Sequence, residues 1–327
     1  MIDGAAGNAA PSIGGWLSNA ARLGAMRVLV TGHRGMIGRV VVHALDGGGH
    51  VVVGFDRQDG QDVLDRDAVE GAVEGCDAVV HLAALQDPRP GEHDAPAHTA
   101  VPGLDAARAV VEVNAMGSQH VMKACLLLGV PRLVVTSSVN ALGVFKGQAR
   151  PDFLPIDDQH RARPRSPYGL SKRATERVAE AVSAEGGLTT ICLRPPAVLD
   201  DAMIDALRER RRQDPASEWH PIWEYGAWIH VEDLARAIVA AIGCPVPPGG
   251  HATVLVCADD VASDRFGARE MVRRWAPGVP WRGDDERYRT DRWRSLVDAS
   301  PAKALLAWSP QRRWPRSEST PREGARG

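Results

Sequence analysis

The junction Gly32-His33-Arg34-Gly35-Met36-Ile37-Gly38 constrains the fold more than any other stretch of this chain. It joins a short apolar, β-branched run (RVLVT) directly to a segment with helical spacing (MIGRVVVHALDGG). At such a junction the first glycine permits a tight turn, the second lets backbone approach a pyrophosphate, and the third lets helix and strand pack closely. The helix start then offers free N–H groups and the positive end of its dipole to an anion. Glycines alone also suit an ordinary strand-to-helix loop. The flanking elements, and the acidic residue that ends the next strand (HVVVGFD), argue against that reading. That residue, Asp56, is placed to bond both hydroxyls of an adenosine ribose and to repel a 2′-phosphate, which favours NAD. Arg57 follows it and offers a charge to such a phosphate, so NADP stays open.

From Met26 onward strands and helices alternate. DAVVHLAA, PRLVVTSS and LTTICLRP are further apolar strands. Helices are expected around Asp65 to Glu74, from about Leu104 to Gly129, and over SPYGLSKRATERVAEAV, where Ser166 serves as N-cap and Pro167 as first residue. Strands apolar along their whole length, separated by helices, imply a doubly wound parallel α/β sheet covered on both faces. After Arg194 the pattern loosens. The expected organisation is a flexible extension over 1–25, a dinucleotide-binding domain over 26–195 continued by about 228–258, and a smaller C-terminal α/β lobe from 196–227 and 259–312. A polar, disordered tail over 313–327 follows.

A net charge of −2 gives no reason to expect nucleic acid or an anionic membrane as partner, and no apolar run reaches the length of a membrane span. The five cysteines (Cys76, Cys125, Cys192, Cys244, Cys257) are scattered without a C-x-x-C pair, as for buried thiols in the reducing cytoplasm. His93 and His98 sit in a Pro/Gly-rich loop, and no metal constellation is seen.

Tyr168 lies four residues ahead of Lys172 on the expected helix, so phenol and ammonium share one face. A free tyrosine, with a pKa of about 10, is a poor base, and a neighbouring cation draws it toward a useful range. Tyr-x-x-x-Lys also arises by chance on exposed helices. Only four of the 39 basic residues are lysines (Lys123, Lys146, Lys172, Lys303), which makes one here less accidental.

Taken in order, these motifs resemble the extended short-chain dehydrogenase/reductases, the NAD-dependent epimerase/dehydratase family, over about residues 26 to 310. TGHRGMIG resembles its phosphate loop, Asp62-Val63 its adenine-contacting pair, and His81-Leu82-Ala83-Ala84 its HLAA segment. Asn114 is similar to the Asn of its fourth helix, Thr136-Ser137-Ser138 to its TSS strand end, YGLSK to its catalytic motif, LRPP to its next strand and WIHVEDLA to its later landmark. The resemblance implies a Rossmann sheet and a catalytic set of Ser138, Tyr168 and Lys172. It further implies cofactor contacts from Gly32, Arg34, Gly35, Met36, Ile37, Gly38, Asp56, Arg57, Asp62, Val63, Leu82, Ala83, Ala84, Asn114, Tyr168, Lys172 and Pro195. Substrate contacts are expected from Gln86, Ser138, Val139, Asn140 and Trp228.

Departures from the family pattern narrow the activity. Its dehydratases carry Asp-Glu after the catalytic hydroxyl, where this chain has Val139 and Asn140, neither a general acid. Its nucleotide-sugar epimerases hold a diphosphate with an Asn and an Arg whose counterparts here are Ala197 and Gly226. SSVNALGVF is closer to the SSNxxxGF segment of uronate dehydrogenases. The leading expectation is therefore hydride transfer between NAD(P) and a small sugar or sugar-acid-like molecule. An NAD-dependent epimerase is the alternative, and a non-catalytic dinucleotide-binding protein a lesser one. Trp223 and Trp228 either stack on a sugar ring or pack the small lobe, and the loop from Asp87 to Gly103 is either a lid or a surface loop. Family analogy points to a homodimer built on helices 104–129 and 167–186.

Overall fold

In the computed structural model, residues 24–86, 104–146, 148–215 and 223–316 are described. The expected lid loop, residues 1–23, the side chain of Trp223 and residues 317–327 lie outside them. The strands are β1 (Arg27–Thr31), β2 (Val51–Phe55), β3 (Ala78–His81), β4 (Arg132–Thr136), β5 (Thr189–Arg194), β6 (Ala197–Leu199), β7 (Trp228–His230) and β8 (His251–Leu255). Six of them form a parallel sheet in the order β2-β1-β3-β4-β5-β8, while β6 and β7 pair separately. The doubly wound sheet expected from the alternation is thus present.

The inner strands β1, β3, β4 and β5 are buried along almost their whole length because both faces of the sheet are covered, while the edge strand β2 starts exposed. Val28 and Val30 of β1 join Val134, Ile191 and Leu193 in one core. Leu29, one pleat over, joins Val79, Leu133, Val135 and Cys192 in the other. The first core is closed by helices α1 (Met36–Gly47) and, beyond β7, Val231–Ile242; the second by α2 (Arg66–Val73), α4 (Gly117–Leu127) and α5 (Pro167–Gly186), with α3 (Leu104–Val111) packed on α5. Between α3 and α4 the backbone runs through a π-helical turn, Glu112–Met116, so the expected single long helix carries a bulge. Helices α6 (Asp201–Gln213), α7 (Val231–Ile242), α8 (Ala268–Trp275), α9 (Asp285–Thr290) and α10 (Ser300–Leu306) complete the chain.

Thr31 at the end of β1 is level with Phe55 and with His81. The chain moves outward from β1 to β2, then crosses back to β3 on the other side. That reversal opens a crevice at the carboxyl ends of β1 and β3, the place where such sheets take ligands. Over the far half of the same edge lies a third apolar cluster, including Phe145, Leu154, Ile156, Cys257, Tyr288 and Leu296. Among the described residues no helix is long and apolar enough to cross a membrane.

Past Arg312, where the sequence alone suggested a tail, Trp314 and Arg316 make contacts with the rest of the fold. Asp233 on α7 accepts from the amides of Gln311 and Arg312, both at 3.0 Å, and Asp260 accepts from the amide of Trp314 at 3.1 Å. Trp314 is 2% exposed and stands edge-on to Trp228, ring centroids 5.4 Å apart. This aromatic contact is long-range, which explains why local polarity concealed it. Trp314→Ala should lower unfolding free energy by about 3 kcal/mol in urea titrations, the scale of emptying a buried aromatic site.

Candidate active site

Gly35 is the N-cap of α1 and supplies no side-chain bond, and the first turn of α1 carries no acid. By contrast Asp65, Asp200 and Asp284 cap α2, α6 and α9. The amides at the start of α1 are therefore left to an external anion. Gly38 is required for the helix to reach the loop, since a Cβ there would fall 2.2 Å from the Gly32 carbonyl oxygen. A Cβ on Gly35 would meet only that oxygen, at 3.2 Å, so its other side is open. Asp56 receives the amide of Gln58 at 2.9 Å and that of Arg34 at 3.1 Å, tying the end of β2 to the phosphate loop. Asp62 accepts from the Leu64 amide, and Val63 is buried against Gly117 of α4.

A buried polar chain fixes the segment after β3. Thr31 Oγ1 and His81 Nδ1 lie 2.7 Å apart, and His81 Nε2 lies 2.9 Å from Ser118 Oγ. Burial draws His81 down to about 3, with the Lys172 charge adding to it, so the ring is neutral. Asn114, on the π-helical turn, grips Leu85 twice: its Oδ1 accepts the Leu85 amide at 2.7 Å and its Nδ2 donates to the Leu85 carbonyl at 2.8 Å. The same Nδ2 reaches Ser171 Oγ on α5 at 3.0 Å. The amide of Asn114 is thus engaged by the protein, where direct cofactor contact was expected, and it holds Leu82 to Leu85 against the crevice.

Tyr168 and Lys172 are set by three local devices. Ser166 caps α5, accepting the Gly169 amide at 3.0 Å, as its sequence predicts. Gly169 lets α5 touch the turn after β4, because a Cβ there would sit 2.7 Å from the Asn140 carbonyl. Glu176, two turns on, receives Arg194 Nε at 2.7 Å and its NH2 at 2.8 Å, Ser137 Oγ at 2.6 Å and Arg173 at 3.0 Å. Burial opposes the Glu176 charge, but these donors outweigh it and hold the carboxyl below its ordinary range.

Lys172 is 6% exposed and donates to the Thr136 carbonyl at 2.8 Å, with its Nζ 5.7 Å from the Tyr168 ring centroid. Burial pulls its ammonium down to about 8. Ser138 caps the turn Val139–Leu142, its Oγ accepting the Asn140 amide at 3.1 Å and Asn140 Nδ2 at 3.3 Å. Among the described residues, Thr136 Oγ1 and Asn140 Oδ1 are buried without a hydrogen-bond partner. Orphaned polar atoms after β4 and the uncapped start of α1 after β1, both at carboxyl ends of the sheet, fit a polar ligand such as a dinucleotide with its substrate.

The expected residues thus gather along the carboxyl edge of the sheet, with Pro195 reached through the Val139 amide at 3.1 Å. Gln86 is exposed at the end of its segment. Trp228 is a correction. It is 1% exposed, its indole N–H donates to the Asp260 carbonyl at 3.1 Å, and Trp314 covers its ring, so it has no face for a substrate. Sequence reading passed over Thr136 and Glu176, although Thr136 stands in the quoted TSS run and Glu176 continues the four-residue spacing of Tyr168 and Lys172.

A model of the NAD dependent epimerase/dehydratase family matches residues 28–254. L-arabinose 1-dehydrogenase (NAD(P)(+)) of Haloferax volcanii is 30% identical over 255 residues, covering 73% of this chain and 90% of that protein. Uronate dehydrogenase of Pseudomonas syringae pv. tomato is 26% identical over 285 residues, covering 80% and 89%. A short-chain dehydrogenase/reductase superfamily protein from Agrobacterium tumefaciens, solved with NAD, superposes with a TM-score of 0.61 at 22% identity, covering 88% of this chain and 93% of its own.

The buried Lys172 ammonium carries a stability cost. Its folded pKa, about 8, lies below the unfolded value, so the cost is full below pH 8 and fades as pH climbs toward the unfolded range. Lys172→Met should therefore raise stability by about 1–2 kcal/mol at pH 7, after the lost bond to Thr136 is discounted. The gain should shrink above pH 8 in denaturant titrations.

Proposed function

The chain belongs to the NAD dependent epimerase/dehydratase family, and within it we propose an oxidoreductase acting on a small polyhydroxylated molecule of sugar or sugar-acid type. The observation that carries this reading is the buried Lys172 ammonium held by the Thr136 carbonyl beside the Tyr168 ring. Bound NAD supplies the hydride acceptor, and the start of α1, Gly35 and Asp56 are the groups that would hold it. Tyr168 takes the proton of the substrate hydroxyl as hydride leaves the same carbon, and the two losses together yield a carbonyl. Lys172 keeps positive charge beside the phenol and would donate to the ribose of the nicotinamide when the cofactor is bound. Ser138 Oγ holds the reacting oxygen and stabilises its developing charge.

Val139 is fully buried and apolar, and Asn140 cannot donate a proton as an acid, which speaks against dehydration. Asn140 Oδ1, buried and unpartnered, is a ready acceptor for a substrate hydroxyl. The relatives named for arabinose and uronate support a single sugar or sugar acid without a nucleotide handle. All five thiols are free and buried, in keeping with a reducing cytoplasm. We further propose a homodimer. Val111, Met116, Leu127, Leu128, Leu170 and Val178 are large apolar residues exposed on α3, α4, α5 and the bulge between them.

With aldoses and uronic acids, added NAD should be reduced stoichiometrically, whereas an epimerase would turn over without net reduction. Tyr168→Phe should lower kcat by about 10²- to 10⁴-fold, and full turnover in that variant would sink the mechanism. By light scattering the wild type should run as a dimer and Val111→Glu/Val178→Glu as a monomer.

A further inference from the structure

Beside the adenosine end of the crevice, the basic side chains are already claimed by acids. Arg34 lies between the first two glycines of the phosphate loop, and its Nε and NH2 both engage the Asp59 carboxylate, Nε at 2.8 Å. His33 Nε2 approaches the same carboxylate at 3.3 Å. The imidazole is wedged against β2, where a Cβ on Gly54 would fall 2.7 Å from the ring. Arg57 leans on Asp62 at 3.8 Å. The Arg34 backbone N–H meanwhile donates to Asp56, so the residue that carries this guanidinium is tied directly to the carboxylate read as the ribose ligand. Three carboxylates (Asp56, Asp59, Asp62) therefore face two guanidiniums (Arg34, Arg57), an excess of negative charge around the turn that follows β2.

We propose that Asp59 is the residue that excludes the phosphorylated cofactor: it holds the Arg34 fork away from the ribose and adds its own charge to that of Asp56. This rests on the reading of the crevice as a dinucleotide site. A guanidinium fork matches phosphate oxygens in geometry and charge, so a freed Arg34 is a ready ligand for the 2′-phosphate. The side chain of Arg34 is 51% exposed and that of Asp59 29%, so the pair is a surface pair that a mutation can open without unfolding the turn. The guanidinium also holds the Asp59 carboxyl below its usual range, so the lock persists through mildly acidic pH.

Binding is measured by calorimetry with NAD and NADP, independently of any substrate. Wild type should prefer NAD. Asp59→Asn should tighten NADP about tenfold or more and keep NAD within about threefold, which also shows the site intact. In Arg34→Ala/Asp59→Asn the NADP gain should vanish. The inference is overturned if Asp59→Asn binds NAD normally without gaining NADP, or if the gain survives loss of Arg34. A wild type that binds neither nucleotide would instead overturn the dinucleotide reading, and the inference with it.

Discussion

The arrangement of the site depends on one buried ion pair. Glu176 and Arg194 are 1% and 4% exposed, and the carboxylate is saturated by Arg194, Ser137 and Arg173. Such a pair contributes little net stability, since desolvation offsets its attraction, but removing one partner costs about 3–5 kcal/mol. Its value here is positional. Glu176 lies on the helix face of Tyr168 and Lys172, Arg194 ends β5, and Ser137 adjoins Ser138. The bonds fix the rotation and height of α5 against the carboxyl ends of β4 and β5.

A second polar chain does the same on the other side of the crevice. Thr31, His81, Ser118 and Asn114 link β1, β3, the π-helical bulge and the Leu85 backbone. A regular α-helix through Glu112–Met116 would turn Asn114 relative to Leu85, so the bulge is the device that lets one amide bridge helix, loop and α5. The members of both chains are hydrogen-bonded, while two buried atoms near them, Thr136 Oγ1 and Asn140 Oδ1, have no partner. A rigid, satisfied frame surrounds a small unsatisfied centre, which is how a fold presents a preorganised polar site.

Much of this was legible along the chain, because the signals are local. Alternating apolar runs gave the strands, the glycine junction gave the crevice, and Ser166-Pro167 gave the start of α5. What escaped notice depends on distant partners. The segment from Gln311 to Arg316 reads as polar, yet Asp233 and Asp260 bind its backbone and Trp228 its tryptophan. That contact also explains why Trp228 packs the lobe and does not face a substrate. Asn114 reads as a cofactor ligand by resemblance, while its amide is in fact taken by Leu85 and Ser171.

The sequence by itself determined the sheet, its parallel winding and the residues at its carboxyl edge, because strand periodicity, helix caps and glycine turns act within a few residues. Only the tertiary structure decided the state of those residues. Burial under distant elements drew Lys172 down to about 8 and made His81 neutral, and distant partners claimed Asn114, Arg34 and Trp228. Desolvation and hydrogen-bond competition depend on everything within a few ångströms in space, and no spacing along a chain encodes them.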